Sequence, residues 1–298
     1  MGVQPPQGGR AARTAQRSGL PERAGDLADV YAQASAGIAQ TDEPADPSQL
    51  DGFAIFCTAR SGSTYLCELL SLNGCGAPKE HLRPPIIDML ANAPSEQRQR
   101  RFTNDLIRFA QRRGFIGTKI IAHFMEDALP FVDVPLLRRQ IEKLRSFRII
   151  YLVRRDKVLQ AISTERAIQT NIYHVRTPDM AAASQAASFS YDFDRLKHRV
   201  DQLNQREEAL QALIASLPYR SLVVEYEQLS VDPAIHLPSI LAFLGRQTDD
   251  LKLTTRITRI RDQSADALAE QFCKEHRSRL GVAARRFCQI PVPAAWSA

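Results

Sequence analysis

Short apolar runs alternate with amphipathic stretches along the chain from about residue 50 onwards. Four runs have the length and composition of buried strands: FAIFCT (53–58), GFIGTKIIA (114–122), RIIYLV (148–153) and SLVVEY (221–226). Helical spacing of apolar residues is found at 61–74, near 95–112, and at 155–170, 191–217 and 233–244. This alternation predicts an α/β fold, a three-layer sandwich in which helices cover both faces of a mainly parallel, doubly wound sheet.

The N-terminal part differs in composition from the rest of the chain. It contains the stretch PPQGGRAARTAQRSG, which is rich in Gly, Pro and Arg, and later an acidic linker broken by prolines. Such composition does not supply enough apolar surface for a core. We therefore expect a mobile extension over residues 1–48, with a candidate helix at 25–39, and one folded domain over 49–298.

Charge and cysteine content narrow the function classes. Among 298 residues, 39 are Lys or Arg and 33 are Asp or Glu, which gives a net charge of +6. This mild excess suits an anionic ligand, but it is too small and too dispersed to predict nucleic-acid binding. No apolar stretch reaches the roughly 20 residues of a membrane span. The five cysteines form no CxxC pair, which is typical of free thiols in a reducing cytosol, so we expect a cytoplasmic protein.

A loop of small hydroxyl residues around one arginine follows the first predicted strand. Its residues are Arg60, Ser61, Gly62, Ser63 and Thr64. A strand, a short loop and a helix form the arrangement in which backbone N–H groups bind a phosphate. The loop lacks the lysine of the P-loop pattern G-x-x-x-x-G-K-[ST]. The loop therefore predicts an anion site, while the alternative is that its hydroxyls only cap the helix.

A second basic group follows the third predicted strand. Arg154-Arg155-Asp156-Lys157 comes directly after RIIYLV, and Ser163 lies eight residues beyond Arg155. Ligands of open α/β sheets bind at the carboxyl ends of strands, and Ser163 is about two helical turns further on. Arg155 and Ser163 are thus candidates for holding a second phosphate. The alternative is an ordinary solvated start of a helix.

Several stretches, in this order over about residues 53–270, resemble the PAPS-dependent sulfotransferases, specifically the bacterial branch typified by trehalose 2-sulfotransferase. They are TARSGSTYLCELL, GAPKEHL, GTKII, YLVRRDKVLQAIS, ERAIQT, YDFD, VVEYEQL, FLG and RIRDQSADAL. The resemblance implies sulfuryl transfer from 3′-phosphoadenosine 5′-phosphosulfate (PAPS) to a hydroxyl of a small-molecule acceptor, such as a saccharide, glycolipid or secondary metabolite. The product is 3′-phosphoadenosine 5′-phosphate (PAP). No metal is expected, and a homodimer is a candidate assembly.

The resemblance also implies roles for individual residues. The loop from Arg60 to Thr64 matches the family's loop around the 5′-phosphosulfate, although the wider superfamily often has lysine where Arg60 stands. Arg155 and Ser163 match the pair that holds the 3′-phosphate. Further cofactor contacts are expected from Tyr226, near the adenine, and from Arg259 and Arg261.

The resemblance places the general base at Glu80. Its neighbour His81 stands where the family usually has an aromatic residue, and since histidine titrates near neutral pH, His81 is a second candidate. His123 is a third. Lys119 either faces the transferring group or only ends its strand. Acceptor contacts are expected from Gln169, Thr170, Asn171 and Tyr173.

Two other function classes remain open from the sequence. A kinase-like phosphotransferase would need a P-loop lysine and Mg²⁺ ligands. A non-catalytic module would keep the cofactor loops and lack the chemistry. Binding of PAP compared with ATP separates the first class from a sulfotransferase, and turnover separates the second.

Overall fold

The computed structural model describes residues 46–82, 96, 100, 103–104, 110–173, 189–247, 249–256 and 263–287. The candidate helix at 25–39 lies outside the described residues, as does most of the predicted helix near 95–112. Within the described parts of the chain, no helix is both long and apolar enough to cross a membrane.

A five-stranded sheet forms the centre of the fold. Its strands are β1 (Asp51–Cys57), β2 (Gln111–Arg112), β3 (Phe115–Ile121), β4 (Ser146–Val153) and β5 (Arg220–Glu225). The strand order is β2-β3-β1-β4-β5, and every neighbouring pair is parallel except the antiparallel pair β2 and β3. The predicted mainly parallel α/β sheet is therefore confirmed. The predicted helix near 95–112 is wrong at its end, because Gln111–Arg112 extends the sheet instead.

Helices and short 3₁₀ turns surround the sheet. The helices are α1 (Ser63–Leu72), α2 (Ala122–Ala128), α3 (Val134–Ile141), α4 (Lys157–Thr170), α5 (Phe193–Ser216), α6 (Tyr226–Val231), α7 (Pro233–Phe243) and α8 (Gln263–Leu280). The 3₁₀ turns are Pro47–Gln49 and Leu129–Phe131. Four helices, α3, α4, α5 and α7, begin after an aspartate whose carboxylate accepts a hydrogen bond from the helix's first-turn backbone.

Strand β1 separates two layers of the hydrophobic core. All seven residues of β1 are buried, as expected of a central strand in a parallel sheet. Because side chains alternate along a strand, Ile55 faces one helical layer and Phe56 the other. The first layer contains apolar residues of α1 and α7, and the second contains Leu210 and Ile214 of α5.

The strand order places a crevice at the carboxyl end of β1. From β1 the chain continues to β3 on one side, and it then crosses to β4 on the other side of β1. Cys57 at the end of β1 is paired with Leu152 near the end of β4. The loops that follow these two strands therefore leave the sheet side by side, at the switch point where open α/β sheets bind their ligands.

Candidate active site

The loop after β1 has the backbone geometry of an anion site. Arg60 has φ 60° and Gly62 has φ 84°, while Ser61 between them does not have a positive φ. Alternation of this kind turns successive N–H groups toward one concave point. Gly62 is the residue that precedes α1, and among the residues that the structure describes no side chain caps this helix. The alternative that loop hydroxyls only cap the helix is therefore wrong, and the N–H groups of its first turn face the crevice.

Ser61 supplies a second indication of a ligand. Its side chain is fully buried, and within the described residues its hydroxyl oxygen makes no hydrogen bond of normal geometry, with the weakly polar Cys57 thiol as a neighbour. A buried hydroxyl without a partner costs free energy, and such groups in native structures usually mark a missing ligand or water. An anionic oxygen in the loop would satisfy it. The loop therefore fits an anionic group.

Arg60 connects the loop to α4. Its Nε donates to Ser163 Oγ at 3.1 Å, and its Nη1 donates to the carbonyl oxygen of Tyr173. Burial and the neighbouring Arg154 lower the pKa of Arg60, although a guanidinium stays protonated at physiological pH. The loop thus carries a fixed positive charge, and Ser163 lies directly beside it.

Arg154 is a cationic neighbour of the loop that sequence reasoning missed. Its Nη1 donates to the carbonyl oxygen of Arg60 at 3.2 Å, and its guanidinium lies 5.3 Å from the centre of the Tyr226 ring. The available signal was the doubled arginine after β4. Arg155, which the sequence favoured, instead pairs with Glu225 at 3.4 Å, and its side chain is 47% exposed. The two arginines leave the strand end in different directions, with Arg154 on the side of the anion loop.

The amino end of α4 differs from that of α1. Glu227 accepts hydrogen bonds from the backbone N–H groups of Arg155 and Asp156, both at 3.1 Å. Lys157 N–H donates to the carbonyl oxygen of Arg286 at 2.7 Å, and the carboxylate of Asp156 accepts from the N–H of Leu159 at 2.9 Å. These amides already have partners and are not available to bind an anion at this strand end.

Lys119 joins the anion loop to Glu80. Its Nζ lies 3.5 Å from Thr64 Oγ1 and 2.9 Å from Glu80 Oε2. Burial alone would lower the pKa of Lys119, but interaction with the Cys67 thiol and the Glu80 carboxylate raises it. Burial also raises the pKa of Cys67 to about 12. The Cys67 thiol is therefore uncharged at neutral pH.

Residues 79–81 are held beside the middle of β3, so Lys119 lies within its strand and does not end it. Lys119 N–H donates to the carbonyl oxygen of Lys79 at 2.9 Å, which forms a parallel bridge between Lys79 and Thr118. His81 Nδ1 lies 3.0 Å from Thr118 Oγ1. This attachment fixes Glu80 beside β3, where its carboxylate is linked to Thr64 of the anion loop through the Lys119 side chain.

The remaining predicted residues occupy varied positions. His123 packs against Phe124 with ring centres 4.0 Å apart, and burial and the nearby Arg206 and Arg199 lower its pKa to about 4. Gln169 exchanges two hydrogen bonds with the backbone of Ser190.

Two further acceptor candidates also make local contacts. Thr170 Oγ1 donates to the carbonyl oxygen of Arg166 and accepts from the N–H of Ile172. The Tyr173 side chain is 48% exposed. The candidates Arg259 and Arg261 lie outside the described residues.

Tyr226 lies against the anion loop. It begins α6 directly after β5, and its ring packs on Gly62. In the parts of the chain that the structure describes, no group of three or more His, Cys, Asp or Glu is placed to hold a metal ion.

Three solved structures of sulfotransferases match the chain. A sulfotransferase domain of the Synechococcus PCC 7002 olefin synthase is 19% identical, with 78% of this chain and 90% of that one covered and a TM-score of 0.37. A sulfotransferase from Alicyclobacillus acidocaldarius is 14% identical, with 81% and 98% covered and a TM-score of 0.38. Mouse sulfotransferase SULT7A1, complexed with PAP, is 16% identical, with 87% and 77% covered and a TM-score of 0.35.

These identities and TM-scores are low, so the assignment depends on sequence. No curated protein is significantly similar to the chain. Residues 52–275 match the sequence model of the Stf0 sulphotransferases. This match spans both strand-end loops, the Lys119–Glu80 pair and the helices between them, and on that ground the chain belongs to the Stf0 sulphotransferase family.

Proposed function

We propose that this protein transfers the sulfuryl group of PAPS to a hydroxyl of a small-molecule acceptor. One observation carries the proposal: Lys119 Nζ lies between Thr64 of the anion loop, at 3.5 Å, and the Glu80 carboxylate, at 2.9 Å. The proposed site for a transferring anionic group is thereby linked, through one side chain, to a carboxylate that can take a proton. Sulfuryl transfer needs both.

The 5′ and 3′ ends of the cofactor are assigned to different parts of the site. The loop amides, Arg60 and the buried Ser61 hydroxyl are proposed to hold the 5′-phosphosulfate. Ser163 and Arg155 are proposed for the 3′-phosphate, and the position of Arg154 beside the loop supports including it. When bound, PAPS supplies an activated sulfuryl group whose leaving group is a phosphate oxygen.

The chain's own residues would then act by charge and by proton transfer. Arg60 and the converging N–H groups stabilise negative charge on the leaving phosphate and on the transferring group, and they do so without rearranging. Arg60 acts by charge alone because it does not release its proton at working pH.

Glu80 is proposed to accept the proton of the acceptor hydroxyl. Lys119 pairs with one carboxylate oxygen, Oε2. In the described part of the chain, no partner of Oε1 is found, and this is the oxygen assigned to the acceptor. Lys119 thus orients the carboxylate and connects it to Thr64. His81 is the alternative base, since it lies next to Glu80 on the same bridge to β3.

Calorimetric binding of PAP and 5′-AMP tests the cofactor assignment. The parent protein should bind PAP much more tightly than 5′-AMP, because charge-assisted contacts contribute roughly 1.5–3 kcal/mol each. Arg155→Ala should remove most of the preference. Arg138→Ala is the matched control: its side chain is 68% exposed and pairs with Glu142 on α3, so that preference should not change. Equal affinity of the parent for PAP and 5′-AMP would contradict the proposal.

Turnover tests the chemistry separately. With PAPS and an acceptor mixture from the producing cell, a mass-resolved product should gain one sulfuryl group. PAP binding without any sulfated product would favour a non-catalytic nucleotide-binding module. ATP binding in preference to PAP would favour a phosphotransferase.

A further inference from the structure

A buried ion pair lies beneath the anion loop. Lys157 belongs to the basic group after β4, where a solvated helix start was one expectation, yet its side chain is 0% exposed. It pairs with Glu207 of α5, which is also 0% exposed. Burying two charges is costly, and replacing such a pair with apolar residues is often neutral or stabilising. Fold stability alone therefore gives a weak reason for this pair.

The pair belongs to a closed hydrogen-bonded cluster. Glu207 accepts from Tyr151 Oη at 2.9 Å and from Thr58 Oγ1 at 3.2 Å. Lys157 Nζ donates to Gln160 Oε1 at 3.1 Å, and Gln160 Nε2 donates to Thr58 Oγ1 at 2.8 Å. We call these five side chains, each at most 1% exposed, the Glu207 cluster. None of them reaches the crevice surface, so none can act as a catalytic residue.

The cluster ends on the backbone of the anion loop. Gln160 Nε2 also donates to the carbonyl oxygen of Ala59 at 2.6 Å. Ala59 directly precedes Arg60, whose φ of 60° is unfavourable for a residue with a side chain. A conformation of this kind persists only where the surroundings fix it. The bond from Gln160 fixes the residue just before it.

We propose that the Glu207 cluster is a positioning device that holds the anion loop in its ligand-binding conformation before the ligand arrives. Thr58 fixes the end of β1, and Gln160 fixes the carbonyl group of Ala59. Together they define the direction in which the chain enters the loop. The inference rests on the proposed function, because it assumes that the loop binds the phosphosulfate end of PAPS.

The direct test is Gln160→Met, which keeps the side-chain volume and removes both donors. Loss of the hydrogen bond from Gln160 to the Ala59 carbonyl oxygen should weaken PAP binding about tenfold. Amide hydrogen exchange over residues 59–64 should become faster in the absence of nucleotide. The turnover number should fall while the KM for the acceptor stays unchanged, since the acceptor side of the site is not altered.

The matched control is Asp51→Asn, at the opposite end of the same strand. Asp51 is 8% exposed and accepts hydrogen bonds from Ser146 Oγ at 2.6 Å and from Arg145 Nε at 3.2 Å. This variant also disrupts a partly buried polar cluster that involves β1, so its Tm should fall. Its PAP affinity and its exchange over residues 59–64 should stay at the parent values.

If Gln160→Met does not fold, a second pair of variants tests whether the Glu207 cluster positions the anion loop. Thr58→Val removes the hydroxyl but keeps the shape, and it should weaken PAP binding. Thr58→Ser keeps the hydroxyl and should bind PAP like the parent. The inference is overturned if Gln160→Met, or Thr58→Val in its place, lowers only Tm and leaves PAP affinity and exchange unchanged.

The proposed function can fail without deciding the inference. If the parent protein does not bind PAP, the cofactor assignment is wrong. Exchange over residues 59–64 in Gln160→Met, compared with Asp51→Asn, still shows whether the cluster fixes the loop.

Discussion

Gly62→Ala is the substitution whose effect the structure allows to be worked out in most detail. Gly62 precedes α1 with φ 84°, and a Cβ at this position would lie 2.1 Å from Cδ2 and 2.4 Å from Cε2 of Tyr226. The alanine would therefore meet two separate obstacles, an unfavourable backbone conformation and a ring that has to move.

The two costs can be added. A left-handed conformation costs a residue with a Cβ roughly 1–2 kcal/mol. Moving the Tyr226 ring breaks its contact with the Arg154 guanidinium, a cation–π interaction of roughly 0.5–1 kcal/mol at a partly exposed site. The sum is about 1.5–3 kcal/mol, which corresponds to a roughly 12- to 150-fold loss of PAP affinity if the loop binds only in its present conformation.

Calorimetry with PAP, together with Tm, measures this loss. Gly114→Ala is the matched control, because Gly114 has φ 76° and its Cβ would meet nothing within 4 Å. It should lower Tm by the backbone cost alone and leave PAP affinity unchanged. PAP binding by Gly62→Ala within a few-fold of the parent would refute the reasoning, since the loop would then tolerate both the strain and the displaced ring.

The other predictions concern single groups of the site and the N-terminal extension. Arg60→Ala should lower kcat by about 10²-fold or more with Tm unchanged; turnover within a few-fold of the parent would show that the charge comes from elsewhere. Glu80→Gln should abolish turnover and keep PAP affinity, while His81→Phe should stay active; the reverse pattern assigns the base to His81. The folded pKa of His123, about 4, is below the ordinary 6.5, so the unfolded chain binds the extra proton and stability falls as pH falls through this window. Between pH 6.5 and 4, the free energy of unfolding should therefore fall less in His123→Gln than in the parent, by on the order of 1–3 kcal/mol. Denaturant unfolding at several pH values measures this difference, and an unchanged pH profile would contradict the prediction. Deleting residues 1–45 should leave PAP affinity and Tm unchanged, and a clear loss of either would mean that the extension binds to the domain.

The sheet and the anion loop could be predicted because their signals are local. A fully buried central strand appears as a continuous apolar run, as in RIIYLV of β4. The change from strand to helix around Gly62 depends on residues that are adjacent in sequence. Strand β2 could not be predicted, because its two residues, Gln111 and Arg112, are too few to show an alternating pattern of apolar and polar positions.

The partners of charged side chains could not be predicted, because they depend on strand order. Arg154 and Arg155 are equivalent in sequence, and only the positions of β1 and β5 beside β4 decide that one contacts the anion loop and the other Glu225. The burial of Lys157 required a carboxylate from α5, fifty positions further along the chain. Pattern and spacing carry no information about such distant pairs.

The hydrogen bonds at the amino end of α4 indicate when, during folding, the candidate site is completed. The backbone N–H of Arg155 donates a hydrogen bond to the carboxylate of Glu227, 72 residues later. The carboxylate of Asp156 accepts one from Arg286 Nε, 130 residues later. Contacts over such long stretches of chain form late, because the entropy of closing the loops is lost before the contacts compensate for it. In refolding experiments, recovery of PAP binding should therefore trail recovery of secondary structure, and simultaneous recovery would contradict this. On the ribosome, the growing chain would then bind the nucleotide only after the segment around Arg286 has packed against the domain.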